Sequence, residues 1–312
     1  MTAAIAEFFD EDLAPLVRRM ADRPRAGGGD DDDRRGIRGM VWQGLVGLGA
    51  LDTADTVRLA ELLGSVLYQG PLLDTLTARD LLPDDAVGEA PVALAVAAEP
   101  WSSQDGAITA RRSFVGFATE VDHLLVGGVD TAGLRLALVP ADHPSITMRR
   151  LEETGRGEAY EVEFAGTPVT AWADSSAEWE TALAGARVRQ AAFLVGLAQA
   201  ALDHAVEYAK TRRQFGQPVG KFQGLAFRLS EMSMHIDATR MLVHDPDAAA
   251  HAAADLAAAS DLARTVTTQT MQINGAAGMR SDNDAQLYYR RAAVESVRLG
   301  TPAQLRLERR ET

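Results

Sequence analysis

The sequence has 312 residues, no cysteine and a formal charge of −13. The missing cysteine excludes disulfides, thiol nucleophiles and cysteine-ligated zinc, and so acidic a chain repels phosphate backbones, which argues against nucleic acid as a partner. No stretch approaches the roughly 18–20 apolar residues that span a bilayer, and the acidic start MTAAIAEFFDEDL lacks the basic region of a secretory signal, so a cytoplasmic location away from the membrane is expected.

Three zones follow in chain order and are expected as domains: helical over 1–88, a middle β domain over 89–175 and a helical bundle over 176–312. In the first, VRLAELLGSVLYQG (57–70) places Val57, Leu59, Ala60, Leu62, Leu63, Val66 and Leu67 near helical spacing. RAGGGDDDDRRG (25–36) has nothing to bury and predicts a loop. The second zone has short apolar runs at 92–98, 113–119, 122–128, 133–140, 145–150 and 159–164, broken by Gly, Pro and Asp. These predict antiparallel strands, with QDGA (104–107) as a tight hairpin turn. In the third, RVRQAAFLVGLAQAALDHAVEYA (187–209) is apolar almost all round, as a helix inside a bundle must be. Long helices are also predicted over 222–243 and 248–272. The fold class is therefore α+β, mostly α.

The stretch TRRQFGQPVGKFQ (211–223) carries two readings. Lys210 is one of only two lysines, and with Arg212 and Arg213 it follows the long helix at once. Cations there complement the helix dipole by ~0.3–1 kcal/mol, a stop signal and nothing more. Alternatively, the planar fork of Arg212 reaches a pyrophosphate, with Phe215 and Phe222 as stacking surface for a nucleotide. In QINGAAG (272–278) the glycine is either a helix cap or a point of close backbone approach to a ligand. The six histidines form no HxxxH or HExxH pair, so no metal site is expected.

ALDHAVEYAKTRRQFGQPVGKFQGLAFRLSEM (201–232) resembles the signature of the acyl-CoA dehydrogenases, and QINGAAGMRSDNDAQLYYRRA (272–292) is similar to their second C-terminal signature. WQGLVGLGAL (42–51) and LAELLGSVLYQGPLLDT (59–75) resemble the family's first helices. The resemblance implies an N-terminal helical domain, a small antiparallel β domain and a C-terminal four-helix bundle. It also implies FAD bound between two subunits. Arg212, Gln214 and Phe215 would hold its pyrophosphate and adenosine portion, with Phe222 and Gln223 in support. Gln272, Gly275 and Ala276 would contact the adenosine end, Ala276 standing where the family has a second glycine. Arg187 falls at the family's substrate-site arginine.

In that family a carboxylate removes the α-proton of an acyl-CoA thioester while hydride leaves the β-carbon for the flavin. Here the two positions for that base hold Leu299 and Ala186. Glu295 and Glu180 are the fallback carboxylates, each otherwise expected as an exposed surface residue. The flavin-side loop is altered too: AAEPWSSQDG (97–106) keeps Glu99 and Pro100, but Ala98 replaces the family's Thr. The half-site offered to a neighbour's FAD is kept, while the half-site for the chain's own flavin and substrate is degraded. The resemblance thus implies the non-catalytic member of an α2β2 heterotetramer, sharing FAD with a companion subunit that carries the catalytic Glu. Bulky acyl-CoA groups such as steroid side chains suit such split enzymes, as does an electron-transfer flavoprotein or similar acceptor. Two alternatives stay open: a self-sufficient homo-oligomer using Glu295 or Glu180, and a flavin-free scaffold.

Overall fold

The computed structural model describes Pro15 and residues 31–130, 133–155, 157–173 and 176–311. The acidic start and residues 25–30 of the expected loop at 25–36 lie outside the described residues. The rest of that loop does not form: helix α1 (Asp31–Gly47) already runs through it, opening on three aspartates, a residue type favoured at helix N-termini. Helices α2 (Thr56–Ser65), α3 (Leu72–Arg79) and α4 (Asp84–Val87) follow.

The chain forms two compact units, one built from Gly47–Tyr68 and the residues from Arg187 onward, the other from Arg38–Val46 and Gln69–Ala186. The second unit holds two four-stranded sheets. Strands β1 (Val92–Pro100), β4 (His123–Asp130), β5 (Gly133–Pro140) and β8 (Ala171–Ala173) pair in the order β1-β4-β5-β8. Strands β2 (Ser102–Gln104), β3 (Ala107–Gly116), β6 (Ile146–Leu151) and β7 (Ala159–Pro168) pair in the order β2-β3-β7-β6. The expected antiparallel pairing holds except between β1 and β4, which run parallel. The reason is topological: after β1 the chain crosses to the other sheet, forms the β2–β3 hairpin, and returns to lay β4 beside β1 in the same direction.

Both faces of β4 are covered, and its alternation shows how. Leu124 and Val126 join Ala93, Ile108, Val115, Val162 and Phe164 in one core. Leu125, between them, points to the opposite face and packs with Ala78, Leu82, Val87 and Trp179. The β2–β3 turn is Asp105-Gly106, with φ of 52° and 76°, the left-handed pair that a two-residue hairpin requires. The expected strand over 113–119 ends at Gly116, because Phe117 turns to φ 55°.

The helical unit is organised by α5 (Ser176–Thr211), whose residues 188–198 are buried on every side, as its unbroken apolar run predicts. Glycines set the crossing with α2. A Cβ on Gly64 would strike the backbone carbonyl of Phe193, and one on Gly196 that of Glu61. Each helix therefore presents a bare backbone to the other. Glu61 also anchors α6 (Gln223–Val243), accepting from Arg240 Nε at 2.8 Å and facing Nε2 of His244 at 2.6 Å. Helix α6 buries a narrow stripe of Met232, Ile236, Thr239 and Val243. Helices α7 (Ala252–Asn274), α8 (Ala285–Glu295) and α9 (Pro302–Glu311) complete the unit. A capping box opens α9: Thr301 N donates to Gln304 Oε1 at 2.9 Å and Gln304 N to Thr301 Oγ1 at 3.3 Å, with Pro302 at the first helical position. No described helix is long and apolar enough to cross a membrane.

Candidate functional site

The segment after α5 is a small hairpin. Arg212 N donates to Tyr208 O at 2.9 Å, closing the helix, and Val219 N donates back to Arg212 O at 2.8 Å. Strands β9 (Arg213–Gln214) and β10 (Gln217–Pro218) pair across Phe215-Gly216. Phe215 lies at φ 50° and Gly216 at φ 80°. For phenylalanine that conformation costs about 1–2 kcal/mol, and the side chain recovers little from burial, being 92% exposed. Its ring meets Phe222 edge-on at 6.2 Å. Arg213 is tied locally, its Nη2 donating to Gly216 O at 2.9 Å. Arg212 is exposed, and among the described residues no hydrogen bond or ion pair holds its guanidinium. Gln214 and Gln223 are exposed as well.

The second predicted segment lies at the end of α7. Gly275 has φ 57° and ψ −138° and caps the helix, and a 3-10 turn runs from Gly275 to Met279. A Cβ on Gly275 would meet nothing within 4 Å. The left-handed φ, not crowding, is what calls for glycine there. Gln272, Gly275 and Ala276 are all exposed.

The structure brings Arg187 and Leu299 together. Arg187 Nε donates to Leu299 O at 3.3 Å, while Nη1 and Nη2 reach the two carboxylate oxygens of Glu308 at 2.7 and 3.1 Å. Leu299 sits at φ 60° and Gly300 at φ 126°, a sharp turn that delivers the Leu299 carbonyl to the guanidinium. Ala186, the residue before Arg187, is buried. Glu308 was invisible to sequence reasoning, although the Thr301–Gln304 capping pair marks the helix that carries it.

Of the two fallback carboxylates, Glu180 is exposed as expected. Glu295 is not: it is buried and ion-paired with Arg291, with Arg298 Nη1 at 3.9 Å. Gln190 Nε2 donates both to its Oε2 and to its backbone oxygen, each at 3.0 Å. Burial alone would raise the Glu295 carboxyl, but the charges of Arg291 and Arg298 and the Gln190 bond hold it below its usual range. Sequence reasoning placed this residue on the surface because an isolated Glu belongs there; Arg291, four residues earlier on the same helix face, was the available signal. Among the described residues no group of three or more His, Asp or Glu could hold a metal ion.

Residues 178–307 match the family model for the acyl-CoA dehydrogenase C-terminal domain. This stretch, 130 of the 312 residues, is similar to acyl-CoA dehydrogenase C-terminal domains. A probable acyl-CoA dehydrogenase of Mycobacterium leprae, fadE25, is 38% identical over 116 residues, 34% of this chain and 30% of that relative. The chain thus aligns with under a third of that relative's length. The whole chain has the acyl-CoA dehydrogenase fold. It superposes on a chain of the Tcur3481-Tcur3483 steroid ACAD G363A variant with TM-score 0.81 and 23% identity, covering 98% of this chain and 99% of that one. A chain of the ChsE4-ChsE5 complex from Mycobacterium tuberculosis gives 0.81 at 21% identity, covering 100% and 97%. Within residues 178–307, Arg212, Gln214, Phe215, Gln272, Gly275 and Ala276 are exposed, while Arg187, Leu299 and Glu295 are held in intramolecular contacts.

Proposed function

We propose that this chain is the non-catalytic partner subunit of an FAD-dependent acyl-CoA dehydrogenase, completing the nucleotide half of a flavin site whose base belongs to a companion chain. One contrast carries the reading. The guanidinium of Arg212 is exposed and uncommitted, whereas that of Arg187 is taken up by Glu308 beside two base positions that hold Leu299 and Ala186.

The residues present fit the dinucleotide. Arg212 offers a planar fork of donors for a pyrophosphate. Phe215 offers an exposed ring at the tip of a turn held in a costly conformation, packed edge-on against half-buried Phe222, a feature that accumulates at ligand sites. Gln272 adds an amide, and the backbone at Gly275 and Ala276 is open to close approach. Gln214 and Gln223 flank the hairpin as further polar contacts. When bound, FAD supplies the hydride acceptor for the β-carbon of an acyl-CoA. This chain's part is to hold and orient the nucleotide, while the companion supplies the flavin-facing cleft and the proton-abstracting carboxylate. A missing base forfeits roughly 10²–10⁴-fold in rate, which explains why the chain would act only in a complex. An electron-transfer flavoprotein or similar acceptor would reoxidise the flavin.

Association has a surface to work with. Phe227, Met234 and Met241 are exposed and seven residues apart along one face of α6, which begins directly after the hairpin. The similarity to steroid ACAD and ChsE4-ChsE5 chains supports a two-chain assembly and a bulky acyl group. The self-sufficient alternative needs Glu295 or Glu180 as base, and the buried ion pair of Glu295 argues against the former.

The test is flavin stoichiometry after co-expression with a companion acyl-CoA dehydrogenase-like chain that carries the catalytic Glu. Half a flavin per protomer supports the proposal. One flavin per chain with no companion would replace it with the self-sufficient enzyme, and none in any combination with the scaffold.

A further inference from the structure

We infer that His204, Asn283 and Asn274 form a polar strut that sets the spacing between the two halves of the nucleotide site. The inference rests on the proposed function and extends it to residues that touch no ligand. Asn274 is the last residue of α7, immediately before the left-handed Gly275, and is buried. Its Nδ2 donates to Thr270 O at 2.9 Å, and its Oδ1 faces Nδ2 of Asn283 at 3.5 Å. The Asn283 Oδ1 accepts the backbone N–H of Ala285 at 2.9 Å, fixing the start of α8, and lies 3.3 Å from Nε2 of His204. His204 belongs to α5, about two helical turns before Arg212, and its ring tilts against buried Tyr288 at 6.0 Å.

The strut therefore links the turn carrying Gln272–Ala276 to the helix that ends in the Arg212 hairpin. A second tie lies one turn deeper, where Thr270 Oγ1 donates to Ala201 O at 3.0 Å. The Thr270 bond holds α5 to α7 without the strut. The His204–Asn283–Asn274 chain sits only at the end that bears the site. Its two side-chain links are at the long limit for hydrogen bonds, so they add little to folding stability. What they constrain is position, and two jaws on one ligand must be held to roughly 0.5 Å. The asparagines suit the task because each amide offers a donor and an acceptor in one plane. His204 completes it by donating from Nε2 to a carbonyl-type oxygen.

The experiment uses the co-expressed complex carrying wild type, His204→Leu, His204→Gln or Asn283→Ala, with FAD retention read by equilibrium dialysis and the thermal midpoint of the complex stripped of flavin read separately. Loss of one link is expected to weaken FAD retention about tenfold in His204→Leu and Asn283→Ala. His204→Gln, which keeps an N–H donor, should hold FAD within about threefold of wild type. The stripped midpoints of wild type and the two His204 variants should stay within about 2 °C of one another, while Asn283→Ala also loses the acceptor for Ala285 N and should melt lower. Unchanged retention in both disrupted variants overturns the inference, as does a loss of retention that follows a falling midpoint equally in the Leu and Gln variants. A wild-type complex that holds no FAD overturns the proposed function itself, a result distinct from either.

Discussion

Arg187 and Glu308 form a two-pronged ion pair, and the same guanidinium also donates to the carbonyl of Leu299. One arginine thereby ties α5 to α9 and to the turn before it. Glu308 is half exposed, so screening limits the pair to about 0.5–1 kcal/mol. Urea unfolding of Glu308→Gln should show that loss. A double-mutant cycle with Arg187→Gln should return a coupling energy of the same size, and strict additivity would mean the pair contributes nothing.

The crossing of α2 and α5 makes a sharper forecast. Gly64→Ala or Gly196→Ala drives a methyl group into a backbone carbonyl that has no rotamer to escape through. Each should cost about 3 kcal/mol or more, visible as a lowered midpoint or loss of folded protein by circular dichroism. Gly39→Ala, in open space on α1, should instead stabilise by about 0.5–1 kcal/mol.

Acid sensitivity follows from Glu61 and Glu295. Burial opposes ionisation of Glu61, but the hydrogen bonds from His244 and Arg240 outweigh it and hold the carboxyl low, as Arg291, Arg298 and Gln190 do for Glu295. A carboxyl lowered by folding contributes stability that is fully present above its unfolded value near 4.5 and is lost as pH falls through the lower folded value. Stability measured in urea should be level from pH 7 to about pH 5 with respect to these groups and decline below. At neutral pH, Glu295→Gln should cost about 3–5 kcal/mol because it removes the buried carboxylate that Arg291 pairs with; a near-neutral effect would refute the buried pair.

Arg212→Ala should separate binding from folding. With no partner among the described residues to lose, the variant should unfold within about 0.5 kcal/mol of wild type. In the complex it should weaken FAD by about 1.5–3 kcal/mol, roughly ten- to a hundredfold, as measured by flavin released on dilution.

Much of this molecule is legible in its sequence where local chemistry and tertiary context agree. GLRLALVP, bounded by Gly and Pro, is β5 from Gly133 to Pro140, and Asp105-Gly106 is the hairpin turn its dipeptide announces. The parallel pairing of β1 with β4 was less accessible, although the unbroken apolar runs VALAVAA and HLLVGG are what strands covered on both faces look like. Phe215 and Leu299 could not be foreseen at positive φ, since their side chains resist it and only the surrounding turns impose it. Arg187 with Glu308, and His204 with Asn283, join residues far apart in sequence by polar contacts, which leave no periodic trace.

The exposed apolar face of α6 and the turn after α7 have a chemical cost for a chain left without a companion. Met234, Met241 and Met279 are 63%, 76% and 79% exposed, open to peroxide and other oxidants. Conversion of these thioethers to sulfoxides would turn a greasy surface polar, so, on the proposed pairing, a copy without its companion would age out of its ability to assemble.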